Sequence, residues 1–163
     1  MRAVLCLAVI SLFCLSLVPS APAQQDGALP SRSDRQAVVK LQWPAQGTVT
    51  EGFGWRRGPL HSGLDIGILR SLDVRAAASG TVARVGNVLG YEGYGTIVLV
   101  AGEGFETLYA HLARARVRVG EWVVAGERIG LAGCTGACSG THLHFELRLD
   151  GIAVDPVPFF ASR

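Results

Sequence analysis

Cys134, Cys138, His142 and His144 lie within eleven positions, in the stretch CTGACSGTHLHFE. Two thiolates and two imidazoles are one of the donor sets of a closed, structural zinc site. The same residues also divide another way, into a disulfide and part of an open site that keeps a coordination position for water. The two remaining histidines bear on the choice. His61 stands in PLHSGLDIG, four residues before Asp65, and His111 stands in FETLYAHLARA. An imidazole can ligate a metal, take up a proton near neutral pH, or donate to a developing oxyanion. Four histidines and a carboxylate therefore suffice for metal-assisted chemistry, provided the fold gathers them.

The elements that would gather them are strands. In THLHFELRLDG, Leu143, Phe145, Leu147 and Leu149 alternate with His142, His144, Glu146 and Arg148. Successive side chains of a strand point to opposite faces, so the apolar set enters the core. The two histidines then share the other face, roughly 7 Å apart. Glu146 shares that face too, where it either orients a ligand from behind or is solvated. In FETLYAHL, alternation predicts Tyr109 and His111 on one face, with Leu108, Ala110 and Leu112 on the other. A fully extended 61–65 segment would hold His61 and Asp65 about 13 Å apart. Gly63 between them permits a bend that lets both reach one ion.

Elsewhere, short apolar or alternating runs such as QGTVTEGFGW, GTIVLVAGEG and RVRVGEWVVAGERIGLAG are separated by glycine, and no helix-period stripe survives ten residues. This pattern predicts an all-β fold: antiparallel sheets in a compact sandwich or barrel-sandwich hybrid, with a groove between them and glycine-rich loops. The tail PVPFFASR is expected against the domain edge. At the other end, MRAVLCLAVISLFCLSLVPSAPA combines a basic start, a small-and-apolar run and a small-x-small ending, the pattern of a signal peptide over 1–23. The run falls short of the ~20 residues a spanning helix needs, so no mature transmembrane segment is expected. A polar leader over 24–38 and a single domain over 39–163 follow. Cys6 and Cys14 go with the signal peptide. Of the charged residues only Arg2 precedes the cleavage point, which leaves a mature net charge near +1. No basic field points to nucleic acid.

FGWRRGPLHSGLDIG, then YAHL, VRVGEWVVAGERIG and SGTHLHFE, in this order and spacing from about Leu41 to Phe160, resemble the lysostaphin-like (LytM-domain) zinc endopeptidases of bacterial cell walls. The resemblance implies one zinc ion held by His61, Asp65 and His144. It also implies that His111 and His142 act on the attacking water and the oxyanion, without saying which does which. A metalloendopeptidase cutting peptidoglycan stem peptides, crosslinks or bridges is the function it implies. The signal peptide would export it to the periplasm or cell wall, and a monomer is the simplest expectation for its oligomeric state. The alternative within the family is a non-catalytic module that binds wall or activates another hydrolase. Such modules typically show gaps in the metal set, and this chain retains all five positions. A further histidine common in the family, beside a turn after the central strand, is absent from VLVAGEGFETLY. A groove lined by Tyr109, His111, His142 and the glycine-rich loop after Trp55 would suit an extended peptide of small residues.

A lipoyl or biotinyl carrier, whose hairpins are similar, needs a lysine at a hairpin tip, but the only lysine, Lys40, stands at the very start of the domain, ahead of its first hairpin. The cysteines follow from export. In an oxidising compartment two nearby thiols pair more readily than they bind zinc. A cysteine-rich closed site would also leave His61, Asp65 and His111 unexplained. Cys134 and Cys138 are therefore expected to form a disulfide that stiffens the loop leading into the histidine strand.

Overall fold

The structure, a computed structural model, describes residues 39–54 and 60–161. The expected signal peptide and leader lie outside the described residues, as does 55–59, the start of the loop expected to line the groove. Short β-branched and aromatic runs cut by glycine yield short strands. They are β1 (Thr48–Glu51), β2 (Leu64–Gly67), β3 (Asp73–Arg75), β4 (Gly80–Asn87), β5 (Thr96–Ala101) and β6 (Phe105–Ala110). After them come β7 (Leu112–Ala115), β8 (Trp122–Val123), β9 (Arg128–Ala132), β10 (Leu143–Leu149) and β11 (Ile152–Val154). Two 3-10 turns, Glu92–Tyr94 and Val157–Phe159, are the only helical elements among the described residues.

The large sheet has the order β1-β2-β10-β6-β5-β4-β8, and β11 also pairs with β10. The small sheet has the order β3-β9-β7. Every pairing is antiparallel. One face of the large sheet, with Ile66, Val98, Val100, Tyr109, Phe145 and Leu147, shares a core with Val74, Leu112, Ile129 and Ala132 of the small sheet. The all-β, antiparallel expectation holds. The tail also lies where expected: Leu41 bridges to Phe160, whose ring stacks on Trp43 at 4.0 Å between centroids.

One open alternative is decided and one expectation is corrected. The polar face of β10 is covered at Glu146, not solvated there. Leu108, Ala110, Ile97 and Leu99 form a second cluster on that side of the sheet, capped by Val88, Tyr91 and Tyr94. His144 is only 5% exposed and Glu146 is fully buried. Tyr109 and His111 also part company. Tyr109 packs in the main core against Phe145, with ring centroids 5.3 Å apart, so it does not line a groove. His111 is the single residue between β6 of the large sheet and β7 of the small one. It adopts φ +58, a left-handed conformation uncommon outside glycine. That turn breaks the alternation and brings the ring to the side of the sheet that carries His144, 5.9 Å from its centroid.

Candidate metal centre

β2 and β10 are hydrogen-bonded neighbours in which Asp65 lies directly opposite His144. Directly opposed residues share a face, so both side chains project to the same side. His61 precedes β2 and is fixed by a two-way backbone bridge to Gly54, with both N–O distances 3.0 Å. The chain reaches β2 through Gly63, where a Cβ atom would collide with the carbonyl oxygen of Phe145 on β10. Close approach of two backbones, not a left-handed turn, demands glycine here.

The result is a tight trio. Asp65 Oδ1 lies 3.2 Å from His61 Nε2 and 2.8 Å from His144 Nδ1, and the two nitrogens are 3.1 Å apart. Their ligand atoms all lie within 4.8 Å of one another, a group able to hold a metal ion. The outward-facing nitrogens fix which atom each ring offers. His61 Nδ1 donates to the carbonyl of Gly52 at 2.7 Å, which leaves Nε2 with the lone pair. His144 is reversed: its Nε2 donates to Glu146 Oε1 at 3.1 Å, and Nδ1 turns inward. Two nitrogens and one carboxylate oxygen, each ring backed by an acceptor, match the donor chemistry of an open zinc site.

Glu146 is the buried hub behind His144. Its Oε1 accepts from Ser62 Oγ at 2.5 Å and from the Tyr94 hydroxyl at 2.6 Å, besides His144. Its Oε2 accepts from Nε and Nη2 of Arg148, both at 2.7 Å. Arg148 in turn donates to the Tyr91 hydroxyl at 2.8 Å. Burial opposes ionisation of Glu146, but the donated hydrogen bonds of His144, Ser62 and Tyr94 and the charge of Arg148 prevail, and its pKa falls to about 2. Burial likewise opposes a charge on His144, yet hydrogen bonds to Asp65 and Glu146 push its pKa up to about 9. Asp65 is held below the usual carboxylate range; burial resists this, while the hydrogen bond from His144 and the nearby imidazoles outweigh it. An environment that favours a proton on His144 Nδ1 also favours a cation there.

His111 and His142 close the other side, with ring centroids 4.8 Å apart. His111 Nδ1 donates to the carbonyl of Thr135 at 2.8 Å, and His142 Nδ1 to that of Gly140 at 2.7 Å. Both therefore offer Nε2, and that of His142 is 3.7 Å from Asp65 Oδ1. Burial lowers the pKa of His111, with the nearby His142 and His144 adding to it against the pull of the Thr135 carbonyl and Asp65. Cys134 and Cys138 are bridged to each other, Cα to Cα 5.3 Å, and contribute no ligand. All five residues singled out in the sequence thus come together, and Tyr109 does not join them. Sequence reasoning missed Ser62, Tyr91, Tyr94 and Arg148. Arg148 had a signal, since it follows Glu146 by two on the same strand face; Tyr94, reaching in from a 3-10 turn, had none.

A two-sheet β-protein carrying a His-Asp-His cluster at two paired strands and the bridge beside them, flanked by two oriented imidazoles, has the donor set of an open metal site. The chain belongs to peptidase family M23, whose family model matches residues 59–156. It is 40% identical over 97 residues to an uncharacterised metalloprotease of Haemophilus influenzae, covering 60% of this chain and 20% of that protein. It is 35% identical over 127 residues to the murein hydrolase activator NlpD of Escherichia coli, covering 77% of this chain and 32% of that one. The chain thus spans a third or less of the length of these relatives. Among solved structures, the antimicrobial peptidase lysostaphin from Staphylococcus simulans is similar with a TM-score of 0.64 and 29% identity, over 74% of this chain and 52% of that one.

Proposed function

We propose that the domain, over 39–163, is an exported zinc metalloendopeptidase hydrolysing peptide bonds in peptidoglycan stem peptides, crosslinks or bridges. The observation that carries this is convergence: three ligand atoms within 4.8 Å of one another, beside two imidazoles whose Nδ1 is bonded to a backbone carbonyl so that Nε2 is the nitrogen on offer. In this reading His61 Nε2, Asp65 Oδ1 and His144 Nδ1 hold one zinc ion. When bound, zinc supplies a Lewis acid that activates water and polarises a carbonyl. His111 and His142 handle the rest: one takes up a proton at its free-electron-pair Nε2, and the other, once protonated at Nε2, donates that hydrogen to the oxyanion. Glycan cleavage is disfavoured, because glycosidases generally use a pair of carboxylates. Asp65 faces the histidines here, and both oxygens of Glu146 are occupied by donors. The monomeric, exported state in a periplasm or cell wall is part of the same proposal.

The relatives named as murein hydrolase activators favour a second reading, in which the domain stimulates a separate hydrolase. One set of variants separates the two. His61→Ala, Asp65→Ala and His144→Ala are each expected to weaken zinc binding by elemental analysis, since three ligands leave no redundancy. His111→Ala and His142→Ala are expected to keep zinc and lose turnover. Digestion of purified peptidoglycan should release amino groups without new reducing sugars, and a zinc chelator should stop it. Zinc content unchanged in His144→Ala would remove the ligand assignment. No cleavage of any wall type by the zinc-loaded chain, with stimulation of an added wall hydrolase that survives His111→Ala, would establish the activator reading instead.

A further inference from the structure

Both histidines outside the ligand trio depend on one short loop between β9 and β10. Thr135 lies inside the ring closed by Cys134 and Cys138. Its carbonyl accepts the Nδ1 hydrogen of His111, and its hydroxyl donates to the carbonyl of Leu112 and accepts from the amide of Thr96, both at 2.9 Å. Ala137, also in the ring, donates its amide to the carbonyl of Gly93 at 2.8 Å. At the far end, Sγ of Cys138 lies 3.0 Å from the carbonyl oxygen of Gly140 and 3.7 Å from His142 Nδ1. That same Gly140 carbonyl accepts the hydrogen of His142. One sulfur bridge thus adjoins the carbonyl that orients His111 and touches the carbonyl that orients His142.

The loop needs such a constraint. Gly136, Ser139 and Gly140 leave its backbone many alternative conformations, and Gly136 already sits at φ +72. A ring this short closes little chain entropy, so its global contribution to stability is modest and its effect is local. We propose that the Cys134–Cys138 disulfide is a positioning element, holding the Thr135 and Gly140 carbonyls so that His111 and His142 both present Nε2 to the ligand trio. Its consequence for turnover rests on the endopeptidase reading; its consequence for ring orientation does not.

The test uses the full chain and its Cys134→Ser/Cys138→Ser variant. Imidazole nitrogen spectra of the metal-free proteins, at one fixed pH, report which nitrogen of each ring carries the hydrogen. In the native chain His111 and His142 are expected with the hydrogen on Nδ1. In the variant both should become tautomer mixtures while His61 is unchanged. Loaded with zinc, the variant should hold as much metal as the native chain. Its kcat on peptidoglycan should fall about tenfold to a hundredfold with KM little changed. Dithiothreitol opens the native bridge to two thiols, supplying two electrons and two protons and becoming a cyclic disulfide. With that reagent removed before zinc is added, the reduced chain should behave as the variant does, and reoxidation should restore it. The same cycle decides the matter if the variant does not fold. Native tautomers retained without the bridge overturn the proposal, as does a loss of activity that merely follows loss of zinc. If the native chain cleaves no wall, the endopeptidase reading falls and the tautomer comparison still judges this one.

Discussion

Glu146 and His111 show how much of the site depends on single residues. A fully buried carboxylate that accepts from Ser62, Tyr94, His144 and twice from Arg148 has no spare lone pair, and its burial keeps bulk solvent from replacing a lost donor. Glu146→Gln keeps the shape but points an amide hydrogen at either Arg148 or His144. Zinc affinity is expected to drop about tenfold to a hundredfold, the usual effect of removing the group behind a metal-binding imidazole. Competition against a chromogenic chelator measures it, and unchanged affinity would mean His144 is oriented by something else. His111 gives a second comparison. Both His111→Gly and His111→Ala remove the ring, but only glycine accepts φ +58 freely. The glycine variant should be more stable than the alanine one by about 1 kcal/mol in urea denaturation. Equal stabilities would show that the left-handed residue relaxes once the ring is gone.

At the scale of elements, what the sequence shows and what it hides have a common cause. Strict alternation in THLHFELRL makes the core face of β10 legible, because each of its leucines and Phe145 is buried as the period requires. Alternation misleads in FETLYAHL because one residue in the left-handed region reverses the face, and residue types do not mark a left-handed histidine. The burial of Glu146 was hidden for a different reason: its cover comes from residues 88–94, some fifty positions away, and long-range cover has no local signature. Gly63 offers an element-scale test. An added Cβ would force β2 from β10 at the level of the trio, so Gly63→Ala should destabilise the domain by about 1–3 kcal/mol and weaken zinc binding. Gly52→Ala is the control, because nothing lies within 4 Å of its added Cβ. Its stability should stay within about 0.5 kcal/mol of the native chain. Similar losses in both variants would refute the close-approach argument.

For the whole molecule, fold class was legible because glycine-cut, alternating segments leave no room for helices, whereas the division into an eight-stranded and a three-stranded sheet was not. That division matters for the chemistry. Asp65 and His144 stand on paired strands of one sheet, and His61 is bridged alongside them. His111 and His142 stand instead where the chain passes between sheets, one at a single-residue crossing and the other at the end of the disulfide loop. Loops and crossings open at lower free energy than paired strands. On heating, the zinc-loaded chain should therefore lose turnover before it releases zinc, measurable by parallel activity and metal-release curves; coincident curves would argue against separate supports. The same arrangement bears on descent. Under the endopeptidase proposal, a lineage carrying this fold could abandon chemistry through one substitution at either crossing while the paired strands that carry Asp65 and His144 stay intact. Inheritance of the shape and inheritance of the reaction are then separable.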